Sequence, residues 1–311
     1  MADPNKSRLA ASDFDPAVLR LFDHYVHGRI DRRGFLDGAS RFAVGGVTAA
    51  ALLEALSPKF AEAEQVPKSD PRIRASTVEF PSPQGNGKGS GYLVRPASAP
   101  PPGGAVTPTT GLPLVLVVHE NRGLNPHIED IARRLAVDNF IAFAPDALAP
   151  YGGYPGNEDE AREIFKQIIP EKTREDMVAG ANFLKGVPGG NGKVGVVGFC
   201  WGGGMTNYLA TRLPDLDAAV PFYGPAPALD RVPAIHAQLM LMFADSDDFV
   251  NSTWPPYEAA LKAANKRYQA FKYPGTQHGF NNDTTPRYDP AAAQQAWQRT
   301  VAFFNRTLRT T

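Results

Sequence analysis

The chain has 311 residues, and its 32 basic and 32 acidic side chains cancel, so no net field draws it to nucleic acid or an anionic membrane. Lys and Arg do not cluster with aromatics, which leaves a small molecule as the expected partner. The single cysteine, Cys200, excludes an intrachain disulfide and a multi-cysteine zinc or iron–sulfur site, and the length allows one large α/β domain or two smaller ones.

Composition changes near residue 70. In residues 1–70, Asp15-Pro16 make a cap and first turn for a helix whose Val18, Leu19, Phe22 and Val26 recur at helical spacing. Adjacent Arg32 and Arg33, then Phe35 and Leu36, an apolar stretch from Phe42 to Leu56 and the small residues around Ala63 resemble a twin-arginine export signal. The apolar part is about 15 residues, short of the roughly 20 that span a bilayer, so no permanent membrane anchor is expected. Asp31, Asp37 and Glu54 depart from the usual signal pattern. Two expectations follow: export to the periplasm with cleavage near Ala63 and a mature chain from Glu64, or a cytoplasmic protein whose N-terminal helices pack on the main domain.

From residue 71 to 311 the pattern is α/β. Strands are expected at 76–80, 91–96, 112–120, 140–146, 193–199, 217–224, 238–245 and 268–275, separated by amphipathic stretches such as Ile128-Ile131-Leu135 and Ala293-Trp297-Val301-Phe304. Near-continuous apolar strands alternating with helices predict a mostly parallel central sheet covered on both faces. The first two strands are more polar and close together, which suits an antiparallel hairpin at one edge. The Pro-, Gly- and Thr-rich stretch from Ala99 to Gly111 reads as a surface loop, and the Gly- and Tyr-rich stretch from Ala147 to Asn157 as a longer loop at the end of the sheet where ligands bind.

Strand 193–199 runs into Gly198-Phe199-Cys200-Trp201-Gly202 and then a helix. A sharp strand-to-helix turn with glycines two positions either side is the pattern of a nucleophile elbow, because a Cβ at either glycine would collide with the neighbouring strand or helix. The helix N-terminus favours a thiolate, and the N–H of Trp201 can stabilise an oxyanion. Neither dinucleotide nor P-loop glycine spacing is met. A base and its orienting acid should follow in the order nucleophile, acid, His. Of the two later histidines, His236 precedes a strand, whereas His278 directly follows the last one. Asp247 is the expected acid, with Asp245 and Asp248 beside it as alternatives.

These residues carry a resemblance. H119-E120-N-R-G, the A-P-D at 144–146, G-K-V-G-V-V-G-F-C-W-G-G at 192–203, the Asp247 turn and P-G-T-Q-H-G-F at 274–280 resemble the dienelactone hydrolase (carboxymethylenebutenolidase) family of α/β-hydrolases. The resemblance implies that fold and a Cys200, Asp247, His278 triad. It implies that Glu120 holds the resting thiol and that the N–H of Asn121 completes the oxyanion hole. Of the family's two arginines that bind a substrate carboxylate, one would correspond to Arg162, while Asn282 stands at the position of the other, with Arg287 nearby. The expected activity is hydrolysis of an ester or lactone through a Cys200 acyl-enzyme, without a cofactor. A general carboxylesterase or thioesterase, or a non-hydrolytic ligand-binding or thiol-redox protein, is the alternative. No metal is expected, since His119 has no second clustered His or Cys beside it.

Overall fold

The computed structural model describes residues 9–43, 46–98 and 111–309, so all of the surface loop expected from Ala99 to Gly111 except its last residue lies outside the described residues. All eight expected strands form: β1 (Ile73–Ser82), β2 (Gly87–Pro96), β3 (Leu112–Val118), β4 (Ile141–Pro145), β5 (Gly190–Phe199), β6 (Ala218–Phe222), β7 (Gln238–Ser246) and β8 (Tyr268–Gln277). They make one sheet in the order β1-β2-β4-β3-β5-β6-β7-β8. β1 pairs antiparallel with β2, and β2 antiparallel with β4. From β4 to β8 every pairing is parallel. This is the α/β-hydrolase architecture, with the antiparallel pair at one edge.

The helices in chain order are α1 (Pro16–Val26), α2 (Arg32–Ala39), α3 (Ala49–Leu56), α4 (Phe60–Ala63), α5 (Pro126–Val137), α6 (Glu158–Phe165), α7 (Pro170–Lys185), α8 (Trp201–Arg212), α9 (Asp248–Ala263) and α10 (Pro290–Leu308). The two-residue period of β3 divides the core. Val115 and Val117 pack with Ile128 and Ile131 of α5 and Phe303 and Phe304 of α10 on one face. Leu114, Leu116 and Val118 pack with Met177 of α7, Leu209 of α8 and Leu261 of α9 on the other. A strand buried on both faces has no polar side, so its sequence is apolar throughout. Each Val or Leu so enclosed contributes about 1.5–3 kcal/mol of transfer free energy.

The N-terminal segment is folded against this domain. Asp15 caps α1 by accepting from Ala17 N at 2.7 Å, Asp31 caps α2 through Gly34 N at 2.7 Å, and Thr48 caps α3 through Ala51 N at 3.1 Å. Val18, Phe22 and Tyr25 of α1, Phe35 of α2 and Leu53 and Leu56 of α3 form a small core of their own. The connection onward is tied down: Lys59 N donates to Thr284 O at 2.8 Å, Val66 N to Asp130 Oδ1 at 2.9 Å, and buried Arg133 pairs with Glu64 at 2.9 Å. Arg32 bonds Asp159 at 3.0 Å, while Arg33 is exposed. Among the described residues no helix is long and apolar enough to cross a membrane.

Candidate active site

At the end of β5 the chain turns through Cys200 with φ +55° and ψ −114°, a conformation that L side chains rarely adopt. Surrounding bonds impose it: Cys200 N donates to Phe222 O of β6 at 3.1 Å, and Gly203 N donates to Cys200 O at 2.9 Å as α8 begins. The flanking glycines are steric necessities. A Cβ on Gly198 would sit 2.1 Å from Gly202 O, and one on Gly202 would sit 2.3 Å from Val118 O at the end of β3. The same tight approach brings the β3 loop beside the thiol.

His278 follows β8 directly, and its Nδ1 donates to Asp247 Oδ2 at 2.6 Å. Asp247 is the N-cap of α9, with Oδ1 accepting from Val250 N at 3.3 Å, so the helix fixes the carboxylate that faces the ring. The alternatives point elsewhere. Asp245 pairs with Lys272 at 2.9 Å and accepts from Gly275 N, and Asp248 is the first residue of α9. Burial alone would depress the His278 pKa, but the Cys200 charge and the Asp247 hydrogen bond outweigh it and hold the ring well above the usual histidine value.

A third group, not foreseen from sequence, stands at the thiol. The last carbonyls of α1 lack partners within their helix, and side chains of the main domain supply them: Val26 O accepts from Asn121 Nδ2 at 2.8 Å and Arg122 Nη2 at 3.0 Å, and Tyr25 O from Arg162 Nη1 at 3.3 Å. Two guanidiniums at the negative end of the helix dipole add to the attachment. The next residue, His27, is thereby directed into the site. Its Nδ1 donates to Asp23 O at 2.8 Å and lies 3.2 Å from the Asp23 carboxylate. Its Nε2 is 3.7 Å from Cys200 Sγ and 3.3 Å from His278 Nε2. Burial lowers the His27 pKa, yet the bonds to Asp23 and Cys200 raise it further, to about 9. For Cys200, burial pushes the thiol up, and the His278 charge together with hydrogen bonds to both rings brings it down to about 6. The one sequence signal for His27 was Asp23 four positions earlier at the end of an amphipathic helix, which by itself reads as a surface pair.

Other expected residues take different stations. Glu120 lines the cleft but accepts from Asn282 Nδ2 at 2.8 Å, so among the described residues the thiol's partners are imidazoles and not this carboxylate. Asn282 Oδ1 accepts from Thr284 N and Oγ1, which commits both ends of its amide inside the protein. Arg162, which the resemblance implied would hold a substrate carboxylate, packs its guanidinium 4.1 Å from the Tyr25 ring centre and donates to Tyr25 O, so it is engaged with the end of α1. His119 is fully buried, accepts from Ala147 N at 3.0 Å and stacks on Trp201 at 5.2 Å, and burial pushes its pKa down. Exposed His236 lies away from the site. Among the described residues the backbone N–H groups of Asn121 and Trp201 have no hydrogen-bond partner.

The cleft above Cys200 encloses 350 Å³ and is lined by Glu120, Arg122, Tyr154, Glu158, His278 and Arg287 among others. Arg122 and Glu158 are an ion pair at 3.8 Å, and burial raises the Glu158 carboxyl despite that guanidinium. Neither was singled out from sequence, because an Arg in a loop and a Glu in the first turn of a helix are ordinary surface residues until folding encloses them.

Comparison with known proteins agrees with this architecture. The family model of the dienelactone hydrolase family matches residues 102–308, and a second model, described as YqhI-like, matches residues 5–44. The Escherichia coli K12 protein YghX, assigned as a hydrolase fragment, is 49% identical over 40% of this chain and 98% of its own length. Protein usf of Aquifex pyrophilus is 37% identical over 65% of this chain and 91% of its own. A crystal structure assigned as a dienelactone hydrolase, from Klebsiella pneumoniae, superposes with a TM-score of 0.62 at 28% identity, covering 74% of this chain and 98% of that one. The motifs around Glu120, Cys200 and His278 lie within the matched span, and the chain belongs to the dienelactone hydrolase family.

Proposed function

We propose that this hydrolase cleaves an ester or lactone by acyl transfer to Cys200, with His278 as the base and Asp247 holding its ring. The observation that carries the reading is the 2.6 Å bond from His278 to Asp247, beneath a thiol presented at positive φ at the mouth of the cleft. The thiolate attacks the carbonyl, and the N–H groups of Asn121 and Trp201 receive the developing oxyanion. The alcohol leaves with a proton from His278, which then activates water to release the acid. One missing oxyanion donor costs about 100-fold in rate or more in comparable sites.

A carboxylate on the substrate fits the lining. Half-buried Arg287 has its enclosed Nε and Nη1 without hydrogen-bond partners among the described residues, its nearest acid being Asp23 at 3.6 Å. A panel of lactones, aryl esters and thioesters, with and without a carboxylate, run on wild type and Cys200→Ala tests both parts. Turnover should vanish in the variant and favour acidic substrates in wild type; a fully active Cys200→Ala protein refutes the mechanism. Equal rates with neutral substrates would assign a general esterase or thioesterase instead.

Residues 1–63 have two competing accounts. Twin-arginine export with cleavage near Ala63 would take His27 away from the cleft, and retention would keep it there. The N-terminus of the purified protein decides between them.

A further inference from the structure

His27, Cys200 and His278 reach one point from an N-terminal helix end, the elbow and the loop after β8, and their ligand atoms all lie within 4.8 Å of one another. A tetrahedral zinc ion, with Zn–S about 2.3 Å and Zn–N about 2.05 Å, has N–N edges of about 3.3 Å and S–N edges of about 3.6 Å. Two of the three corresponding separations are 3.3 Å between the two Nε2 atoms and 3.7 Å between Cys200 Sγ and His27 Nε2, and the third, from Cys200 Sγ to His278, lies within 4.8 Å and closes when an ion draws the ligands in. Both rings commit their other nitrogen to an oxygen partner, His278 to the Asp247 carboxylate at 2.6 Å and His27 to Asp23 O at 2.8 Å, with the Asp23 carboxylate at 3.2 Å. That carboxylate–histidine arrangement fixes the tautomer and directs the Nε2 lone pair inward, as metal-binding histidines require.

We propose that the N-terminal segment makes the nucleophile part of a three-ligand site for a zinc-class divalent cation. Thiolate and imidazole are the donors such borderline-soft ions prefer, and three protein ligands leave a fourth position open to the cleft. On binding, one S–metal and two N–metal bonds form, and the protons that the cluster holds on Cys200 Sγ and on the two Nε2 atoms pass to solvent. The bound cation withdraws the sulfur lone pair from ester attack, a consequence that rests on the hydrolase reading above; the site itself does not. Counting ligands around His119 found too few, because two of the three donors come from residues 27 and 278.

The test uses the full chain, stripped with a chelator and titrated with Co2+. One equivalent should bind with a thiolate-to-cobalt charge-transfer band and the intense visible bands of tetrahedral cobalt, and Zn2+ should displace it. His27→Ala should weaken affinity at least tenfold, and Asp23→Asn, which keeps all three ligands, about 10–100-fold. In the ester assay Zn2+ should inhibit, a chelator should restore turnover, and His27→Ala should move the inhibition curve at least tenfold to higher zinc. Wild type without the charge-transfer band, or His27→Ala with unchanged cobalt affinity and an unchanged circular dichroism spectrum, overturns the proposal. The cobalt spectrum needs no substrate, so its failure is separate from a failure of metal-free protein to turn over esters, which would overturn the hydrolase reading alone.

Discussion

His27 Nε2 stands 3.7 Å from Cys200 Sγ although 173 positions separate them, so a helix that precedes the α/β domain brings a group to its cysteine. The contact depends on the donors that hold the end of α1, above all Asn121 and Arg122 on Val26 O. The loop after β3 and the N-terminal helix are therefore one structural unit.

Because Cys200 is the one cysteine in the chain, alkylation reports on it directly. With its pKa brought down to about 6, the thiol is largely ionised at neutral pH and should react with iodoacetamide faster than a free cysteine in metal-free protein. His27→Ala removes one of the stabilising hydrogen bonds and should slow labelling several-fold; an unchanged rate, followed by mass spectrometry, would show that His27 does not act on the sulfur.

Asp247 and Asp245 are separable. Asp247→Asn can still cap α9 but no longer selects the His278 tautomer, and a fall in kcat of about 1,000-fold or more is expected by analogy with triads generally. Asp245→Asn disturbs an exposed pair with Lys272 and should leave stability nearly unchanged and kcat within a factor of about two. Steady-state kinetics on both variants checks the assignment.

Gly198→Ala would put a methyl 2.1 Å from Gly202 O and 2.4 Å from Thr206 Oγ1. The nearest atom is backbone and cannot swing aside, so the elbow must open. Destabilisation of about 3 kcal/mol in urea unfolding is expected, with loss of ester turnover. A variant of wild-type stability would mean that the turn is less tight than described.

Asp283 gives stability a pH dependence. Burial would raise its carboxyl, but the neighbouring His127 ring at 3.2 Å and Arg134 at 2.7 Å outweigh burial and bring it to about 2 from 3.8. A folded-state value below the unfolded one stabilises above about pH 4, and the contribution is lost as pH falls through about 2; the shift corresponds to about 2 kcal/mol. Asp283→Asn should lose about that much at neutral pH and flatten the stability profile over the same window, as measured by denaturant unfolding. Gln65 also donates to Asp283 at 2.7 Å, so part of the loss should appear as loosening of the N-terminal segment.

Much of the site was legible along the chain because an open α/β sheet gathers strand ends. Strand-like runs located all eight strands, and Cys200, Asp247 and His278, which each follow a strand, are brought to one edge by the parallel topology. The glycine spacing around Cys200 was legible for a related reason: backbone meeting backbone leaves no choice of residue.

Side-chain direction was not legible. Arg162 turned to the end of α1, and Asn282 turned to Glu120, because each found a carbonyl or carboxylate partner that exists only once remote segments have packed. His27 is the extreme case. Its sequence neighbourhood describes a capped amphipathic helix, and its place beside Cys200 follows from how the apolar face of α1 docks and which donors cap its last carbonyls. Local periodicity and turn chemistry determined the sheet and the elbow, since those are short-range constraints. The third group at the sulfur was decided by tertiary packing, since nothing in the residues around position 27 specifies what lies across the cleft.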